Sequence, residues 1–278
     1  MIKLFVDSGS SIKQEEKERY DVEILPLKIM IENREYLDGV DLSMEDFYHY
    51  LIDENIFPKT SLPSPGDTRE KVMKCVEEGY DVIILSLSSG LSGTFNMMRT
   101  MFADVPSVCV IDTKTAVGGI RILVEEVNKY RDKSLDFVRA KLSSLIYRIR
   151  VIAIPDTLAY LHKGGRLSRS AWVAGSIMQV KPLIIVDSKT DGGVKVVGKA
   201  LGKKNAMRSL AEYLIKENCD TDYSIVPSYT YNSRNLDELI SLTDDKYKSA
   251  MTEYDNLDPA IACHWGPGAF GYIFVSKE

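Results

Sequence analysis

Histidine and cysteine are scarce in this sequence, and their spacing argues against the common metal sites. The 278-residue chain has three histidines and four cysteines, and no two cysteines form a C-x-x-C pair. A structural zinc site gathers four such ligands, and disulfide frameworks occur in short, cysteine-rich secreted chains. The sequence therefore predicts reduced thiols and no bound metal.

The chain also lacks an excess of positive charge and a long apolar run. Its formal net charge is -5, whereas proteins that bind nucleic acids usually carry a basic stripe that neutralises phosphates. No apolar segment approaches the ~18 residues of a membrane span, and the opening MIKLFVD is too short for a secretory signal peptide. We therefore expect a cytoplasmic protein with no nucleic-acid partner and no integral membrane association.

Strand and helix patterns alternate in the first half of the chain. Apolar runs such as IKLFVD (2–7), DVIILS (81–86) and SVCVID (107–112) are separated by segments of helical spacing, which is typical of a parallel sheet covered by helices. Later, LIIVDSKTDGGVKVVGK (183–199) is typical of a β-hairpin. The sequence predicts two α/β domains: residues 1–150 with a mainly parallel sheet and residues 151–278 with a mixed or antiparallel sheet.

Two shorter predictions concern individual elements. In SPGDTREKVMKCVEEG (64–79), Ser64 and Pro65 form a helix start, and Gly79 is a helix end. Near the C-terminus, MTEY (251–254) is predicted to be a strand.

The segment LSSGLSGTFN (87–96) is the first candidate site, because it joins a buried strand to a helix. In open α/β sheets, ligands bind where strand carboxyl ends meet helix amino ends. The helix start offers unpaired N–H groups and a partial positive charge, and hydroxyls add further donors. This composition predicts either an anion-binding loop or an ordinary capped loop.

Two other chemistries are open for the same loop. Ser92 and His264 could form the nucleophile and base of a serine hydrolase, with Asp112 or Asp7 orienting the histidine, although the G-x-S-x-G elbow is absent. A small-phosphate site is the other alternative, although the loop lacks the Gly-Lys-Ser/Thr ending of a phosphate loop.

Two more segments carry polar residues without an evident structural task. KTSLPSPGD (59–67) places Thr60 and Ser61 before a helix start, where they could face a site. LHKGGRLSR (161–169) groups four basic side chains around a glycine pair, either as a solvated basic loop or as part of a site. They are His162, Lys163, Arg166 and Arg169.

Taken in order, these segments resemble the DegV family of bacterial fatty-acid-binding proteins. The match covers nearly the whole chain, and its most specific part is T-S-x-P-S followed about 30 residues later by S-S-G-L-S-G-T. The segments that carry the resemblance are VDSGS, LPLKIMIENREYLDG, KTSLPSPGD, LSSGLSGTFN, VIDTKTAVGG, LHKGGRLSRSAWVAGSIMQVKPLI and HWGPGAFG.

The resemblance implies two α/β domains that enclose a long-chain fatty acid between and within them. It further implies that the hydroxyls of Thr60 and Ser92 bind the carboxylate. The remaining residues that it places at the head group are Ser61, Gly93, Thr94, His264 and Arg166.

The resemblance also implies a partner, the catalytic subunit of an ATP-dependent fatty acid kinase that makes acyl phosphate. The sequence carries no nucleotide or Mg²⁺ motif, so we expect no cofactor and no catalytic residue in this chain. The residues expected to dock the kinase are Arg169, Lys203 and Lys204. The chain departs from the family at Phe95 and Asn96, where Tyr-Gln is usual, and at Leu201 and Lys203, near which arginines are common.

Overall fold

The computed structural model describes residues 1–175 and 180–277, which form two compact units. The first unit contains Met1–Tyr147 and Asp258–Ala260, and the second contains Arg148–Leu257 and the residues from Ile261 onward. The predicted boundary near residue 150 did not anticipate that residues 258–260 belong with the first unit. Residues 176–179, within the long segment that resembles the DegV family, lie outside the described part.

The first unit is built on a parallel sheet, as the alternating pattern predicts. Its strands are β1 Ile2–Asp7, β2 Val22–Leu25, β3 Lys28–Ile31, β4 Arg34–Leu37, β5 Lys59–Ser61, β6 Asp81–Ser86 and β7 Val108–Asp112. Four of them form the parallel sheet in the order β2-β1-β6-β7. Val82–Leu85 of β6 are fully buried, as expected for a strand covered on both faces.

The helices of the first unit are amphipathic or buried segments that cover this sheet. Their bounds are α1 Lys17–Tyr20, α2 Met44–Tyr48, α3 Pro65–Glu77, α4 Thr94–Met101, α5 Gly118–Asn128 and α6 Leu135–Arg148. Val72 of α3 and Met98 of α4 pack with Phe5 and Ile84 in one core cluster. The predicted start of α3 is confirmed, because the Asp67 N–H donates to Ser64 Oγ at 3.4 Å and Pro65 is the first helical residue.

A small antiparallel sheet, β4-β3-β5, completes the first unit. Strand β5 pairs with β3, so that Thr60 lies opposite Ile29 and Ser61 opposite Lys28. The sequence pattern did not predict β5, because its three residues form a strand only through this pairing with a distant segment.

The second unit contains a six-stranded mixed sheet. Its strands are β8 Ile149–Ile154, β9 Val180–Asp187, β10 Lys195–Leu201, β11 Val226–Tyr229, β12 Asp255–Asn256 and β13 Phe270–Val275. Their order is β10-β9-β8-β13-β11-β12, and each pair is antiparallel except β11 with β12. The predicted hairpin is confirmed as β9 and β10. The predicted strand over residues 251–254 is wrong, since Met251 makes only an isolated bridge to Ile225.

In the part of the second unit that the structure describes, six α-helices accompany this sheet. Their bounds are α7 Ala159–Lys163, α8 Arg169–Gly175, α9 Lys203–Lys216, α10 Arg234–Leu242, α11 Asp245–Lys248 and α12 Pro259–Trp265. Helix α12 begins within the first unit and ends within the second. Among the residues that the structure describes, every helix is too short or too polar to span a lipid bilayer.

Candidate functional site

The loop after β6 lies at a point of the first sheet where ligands commonly bind. In the order β2-β1-β6-β7, the chain leaves β1 toward β2 on one side and later continues through β6 on the other. The carboxyl ends of β1 and β6 therefore border the crevice that forms where the strand order reverses. These ends carry Asp7 and Ser86.

Asp7 fixes the root of the loop that follows β6. Its carboxylate accepts hydrogen bonds from the Leu87 N–H at 2.7 Å, the Gly9 N–H at 3.0 Å and the Ser86 hydroxyl at 3.2 Å. Burial raises the pKa of Asp7 to about 6, although these three donors lower it. The carboxylate thus joins the ends of β1 and β6 and sets the direction in which residues 87–94 leave the sheet.

Ser88 is a structural residue of this loop. It is fully buried, and its Oγ accepts the Gly90 N–H at 3.1 Å. Its carbonyl accepts the N–H groups of Leu91 and Ser92 at 2.9 and 3.0 Å. Ser88 therefore shapes the turn that presents the next hydroxyls.

Ser92 and Thr94 form a hydroxyl pair at the start of α4. Their oxygens lie 2.8 Å apart, and the Thr94 N–H donates to Ser92 Oγ at 3.3 Å. Thr94 is fully buried, Ser92 is half-buried and Gly93 is exposed. This first turn of α4 supplies hydroxyl and backbone donors and the positive end of an eight-residue helix.

The structure brings the Thr60 segment close to this helix start. A Cβ atom added at Gly93 would lie 3.7 Å from Leu62 Cδ2, an ordinary van der Waals distance. Thr60 is half-buried on β5, whereas Ser61 is exposed. The T-S-x-P-S and S-S-G-L-S-G-T motifs are therefore neighbours within one unit, although they are 30 residues apart in sequence.

A charged cluster beside the loop was not selected from the sequence. Lys114 Nζ lies 3.1 Å from Ser89 Oγ and 3.0 Å from Asp112 Oδ2, and the Ser89 N–H donates to Asp112 Oδ1 at 3.0 Å. Burial raises the pKa of Asp112, but the hydrogen bonds from Ser89 and Lys114 outweigh it and the pKa is lowered. The cluster fixes Ser89 and places an ammonium group near the exposed turn at Gly90.

These contacts favour a binding loop over a nucleophilic serine. Ser92 Oγ pairs with another hydroxyl, that of Thr94. Lys114, which lies beside Ser89, is an ion-paired ammonium and has no lone pair with which to accept a proton. Both carboxylates considered as histidine orienters, Asp7 and Asp112, accept hydrogen bonds from backbone groups of the first unit.

In the second unit, two glycine-containing segments interlock around His264. A Cβ at Gly164 would lie 2.2 Å from His264 Nδ1, and a Cβ at Gly266 would lie 2.3 Å from the Tyr160 ring. Each glycine therefore admits a side chain from the other segment. The KGGR and HWGPG motifs therefore pack against each other, a contact that the sequence pattern does not predict.

Burial lowers the pKa of two residues in these interlocked segments. Burial and, to a lesser extent, the Arg166 charge lower the pKa of His264 to about 3, so the imidazole is neutral at neutral pH. Burial also lowers the pKa of Arg166, whose guanidinium donates to the Gly164 carbonyl. The pair thus presents a neutral imidazole and a fixed cation.

Both tryptophans of the chain lie next to these segments. Trp172 stacks on His162 with ring centroids 4.6 Å apart, and Trp265 directly follows His264. Both pack against the cluster of Leu158, Leu161, Leu167 and Ile184.

The residues expected to dock a partner are exposed on neighbouring elements of the second unit. Arg169 begins α8, which packs against β10, and Lys203 and Lys204 begin α9. Lys203 Nζ lies 3.9 Å from Glu238. Leu201, at the end of β10, is 66% exposed, so cations and an apolar side chain occur together.

Comparisons with known proteins agree with this architecture over the whole chain. The family model for DegV, described as an uncharacterised protein of the DegV family, matches residues 1–277. A DegV domain-containing protein of Clostridium acetobutylicum is 30% identical over 289 residues, which cover 99% of each chain.

Two solved structures are similar over their full length. A fatty-acid-binding DegV family protein from Streptococcus agalactiae has a TM-score of 0.89 at 25% identity, covering 100% of this chain and 99% of that one. A stearic-acid-binding protein from Eubacterium ventriosum has a TM-score of 0.83 at 26% identity, with the same coverage. The chain belongs to the DegV family.

Proposed function

We propose that this protein binds a long-chain fatty acid and holds its carboxylate at the start of α4. The observation that carries the proposal is the Ser92–Thr94 hydroxyl pair at the first turn of α4, beside the segment that contains Thr60. Fatty-acid binding by the similar proteins from Streptococcus agalactiae and Eubacterium ventriosum supports it.

The energetics of such a ligand agree with neutral donors at the start of α4. Burying a palmitate-sized tail of about fifteen carbons would contribute up to ~12 kcal/mol at ~0.8 kcal/mol per methylene, before ordering costs. The head group then needs only to keep its hydrogen bonds, because an unpartnered buried carboxylate would cost several kcal/mol. Hydroxyls and helix-start N–H groups meet this need.

Each residue of the proposed site has a distinct task. Thr60 and Ser92 donate to the carboxylate, and Thr94 orients the Ser92 hydroxyl. Ser61 and Gly93 supply backbone groups at the same two turns. In the second unit, His264 contributes a neutral imidazole donor and Arg166 a fixed positive charge to ligand binding, as the family resemblance implies.

The protein's task would then be to present the bound acid to a kinase. We propose that the catalytic subunit of a fatty acid kinase docks on Arg169, Lys203 and Lys204. Their exposure beside Leu201 supports this role, since a mixed apolar and cationic surface suits an acidic partner. Phosphoryl transfer would use the partner's nucleotide and Mg²⁺.

Analysis of the ligand carried by the purified protein tests the proposal. We expect denaturing mass spectrometry of extracted lipid to reveal a long-chain fatty acid, and added oleate to raise the melting temperature. Absence of both effects would reject it. Stabilisation by inorganic phosphate instead would indicate a small-anion site, and covalent labelling of Ser92 by a fluorophosphonate would indicate a hydrolase.

A further inference from the structure

Two segments that resemble the family, VDSGS and LPLKIMIENREYLDG, meet at Asp38. The Ser8 hydroxyl donates to Asp38 Oδ2 at 2.7 Å and accepts the Leu27 N–H at 3.0 Å. The Asp38 N–H donates to the Leu27 carbonyl at 2.9 Å. Asp38 is fully buried, so both its backbone and its carboxylate are fixed.

The second oxygen of Asp38 caps a helix from a distant part of the sequence. Asp38 Oδ1 accepts the N–H of Ala260, the second residue of α12, at 3.0 Å. The first N–H groups of a helix have no acceptor within the helix, and a side-chain oxygen commonly accepts a hydrogen bond from one of them. Asp258, the residue just before α12, instead forms an ion pair with Lys13.

The opposite end of α12 carries His264. His264 is the fourth residue after Ala260, a rise of about 6 Å along a helix. His264 packs so closely on Gly164 that an added Cβ would lie 2.2 Å from its ring. The capped start of α12 and the imidazole therefore lie on one short helix.

We propose that Asp38 is a positioning residue that caps α12 and thereby sets the position of the His264 imidazole. This accounts for a fully buried carboxylate whose burial and neighbouring Asp258 raise its pKa to about 7, since a buried acid is costly without a specific task. The consequence for ligand binding rests on the proposed role of His264 in the fatty-acid site.

A pocket beside Asp38 determines what its removal would do. The pocket has a volume of about 430 Å³ and is lined by Ser8, Lys13, Asp38, Asp258 and Pro259, among others. Water can therefore replace a missing carboxylate, so that Asp38→Ala releases the cap while leaving the surrounding sheet intact.

Histidine NMR of the lipid-free protein tests the positioning directly. The chain has only three histidines, so the His264 imidazole signals can be assigned by their loss in His264→Gln. We expect Asp38→Ala to move them and to leave those of His49 unchanged. Asp38→Asn, which keeps an acceptor oxygen, should restore the parent spectrum. Glu15→Ala, which removes another carboxylate of the same pocket, is the matched control.

Fatty-acid affinity, measured in parallel, separates this inference from the proposed function. We expect Asp38→Ala to weaken binding about fivefold, the equivalent of one capping interaction. A shifted His264 with unchanged affinity would support the positioning and reject the ligand role of His264. Unmoved His264 signals in Asp38→Ala would overturn the inference. If Asp38→Ala does not fold, Ser8→Ala, which removes the donor to Asp38, serves as the variant, with the same two outcomes.

Discussion

Residues of the SSGLSGT loop that look equivalent in sequence differ in their contacts. Ser88 makes hydrogen bonds with backbone groups of the loop. Ser89 is held by Asp112 and Lys114. Ser92 instead pairs with Thr94 at the helix start. The junction of strand and helix was enough to select the loop from the sequence. The division among its serines was not predictable, because the partners of Ser89 lie more than 20 residues away and the contacts of Ser88 and Ser92 depend on the shape of the turn.

Ser92→Ala tests the head-group assignment. It removes a charge-assisted donor, so we expect fatty-acid binding to weaken by about 1–3 kcal/mol with little change in melting temperature. Binding is measured by titration of the delipidated protein with a fluorescent fatty acid. Ser64→Ala is the control, because Ser64 caps α3, and it should cost about 1 kcal/mol of stability without weakening binding. Equal affinity in Ser92→Ala and the parent would contradict the assignment.

The buried Asp7 predicts an unusual dependence of stability on pH. Its pKa is about 6 in the folded protein and 3.8 in a model peptide, so the folded state binds more protons between these values. The free energy of unfolding therefore falls as pH rises through this window, by about 3 kcal/mol for this group.

Comparison of Asp7→Asn with the parent isolates this contribution. Relative to the parent, the variant should gain about 3 kcal/mol in free energy of unfolding between pH 4 and pH 8, because it cannot ionise. Urea denaturation at several pH values measures the difference. A constant difference across the range would show that Asp7 titrates near its ordinary pKa.

At the scale of elements, local signals and long-range contacts divide the predictable from the unpredictable. Helix α3 and the β9–β10 hairpin follow from a cap, a proline and a glycine-rich turn within their own sequences. Strand β5 depends on pairing with β3, and the start of α12 on Asp38, which lies 222 residues away. No pattern within the sequence of β5 or at the start of α12 predicts these features.

The interlocked segments around His264 predict that Gly164 tolerates no side chain. In Gly164→Ala, the added methyl would overlap the imidazole, so we expect a loss of about 1–3 kcal/mol in stability and a displaced His264. Gly66→Ala is the control, since a Cβ at Gly66 in α3 meets no atom within 4 Å. Urea denaturation measures both. Similar stability of the two variants would contradict the packing.

The exposed start of α9 predicts a mutation that separates docking from ligand binding. Lys203→Glu reverses one charge of the proposed docking surface, so acyl-phosphate formation with a fatty acid kinase should fall while fatty-acid binding is retained. Lys216→Glu, at the other end of the same helix, should leave both unchanged. An assay of acyl phosphate with purified kinase distinguishes the two. Equal rates would exclude Lys203 from the docking surface.

At the scale of the whole molecule, the sequence predicted two α/β domains. It did not predict that residues 258–260 belong with the first unit. These residues bring to the first unit the partners of Asp38 and Lys13. A fragment of residues 1–147 lacks those partners, so we expect its β1 amides to exchange hydrogen faster than in the intact chain. Equal protection would show that the returning residues contribute nothing to the first unit.

The placement of both tryptophans against one apolar cluster next to the interlocked segments gives the protein a built-in optical probe. Both tryptophans, Trp172 and Trp265, lie in the second unit and pack against the same cluster, so all tryptophan fluorescence comes from there. Emission should therefore respond when a ligand or a kinase disturbs the segments around His264. Unlabelled protein in a fluorimeter can thus report changes in the second unit that accompany ligand or kinase binding.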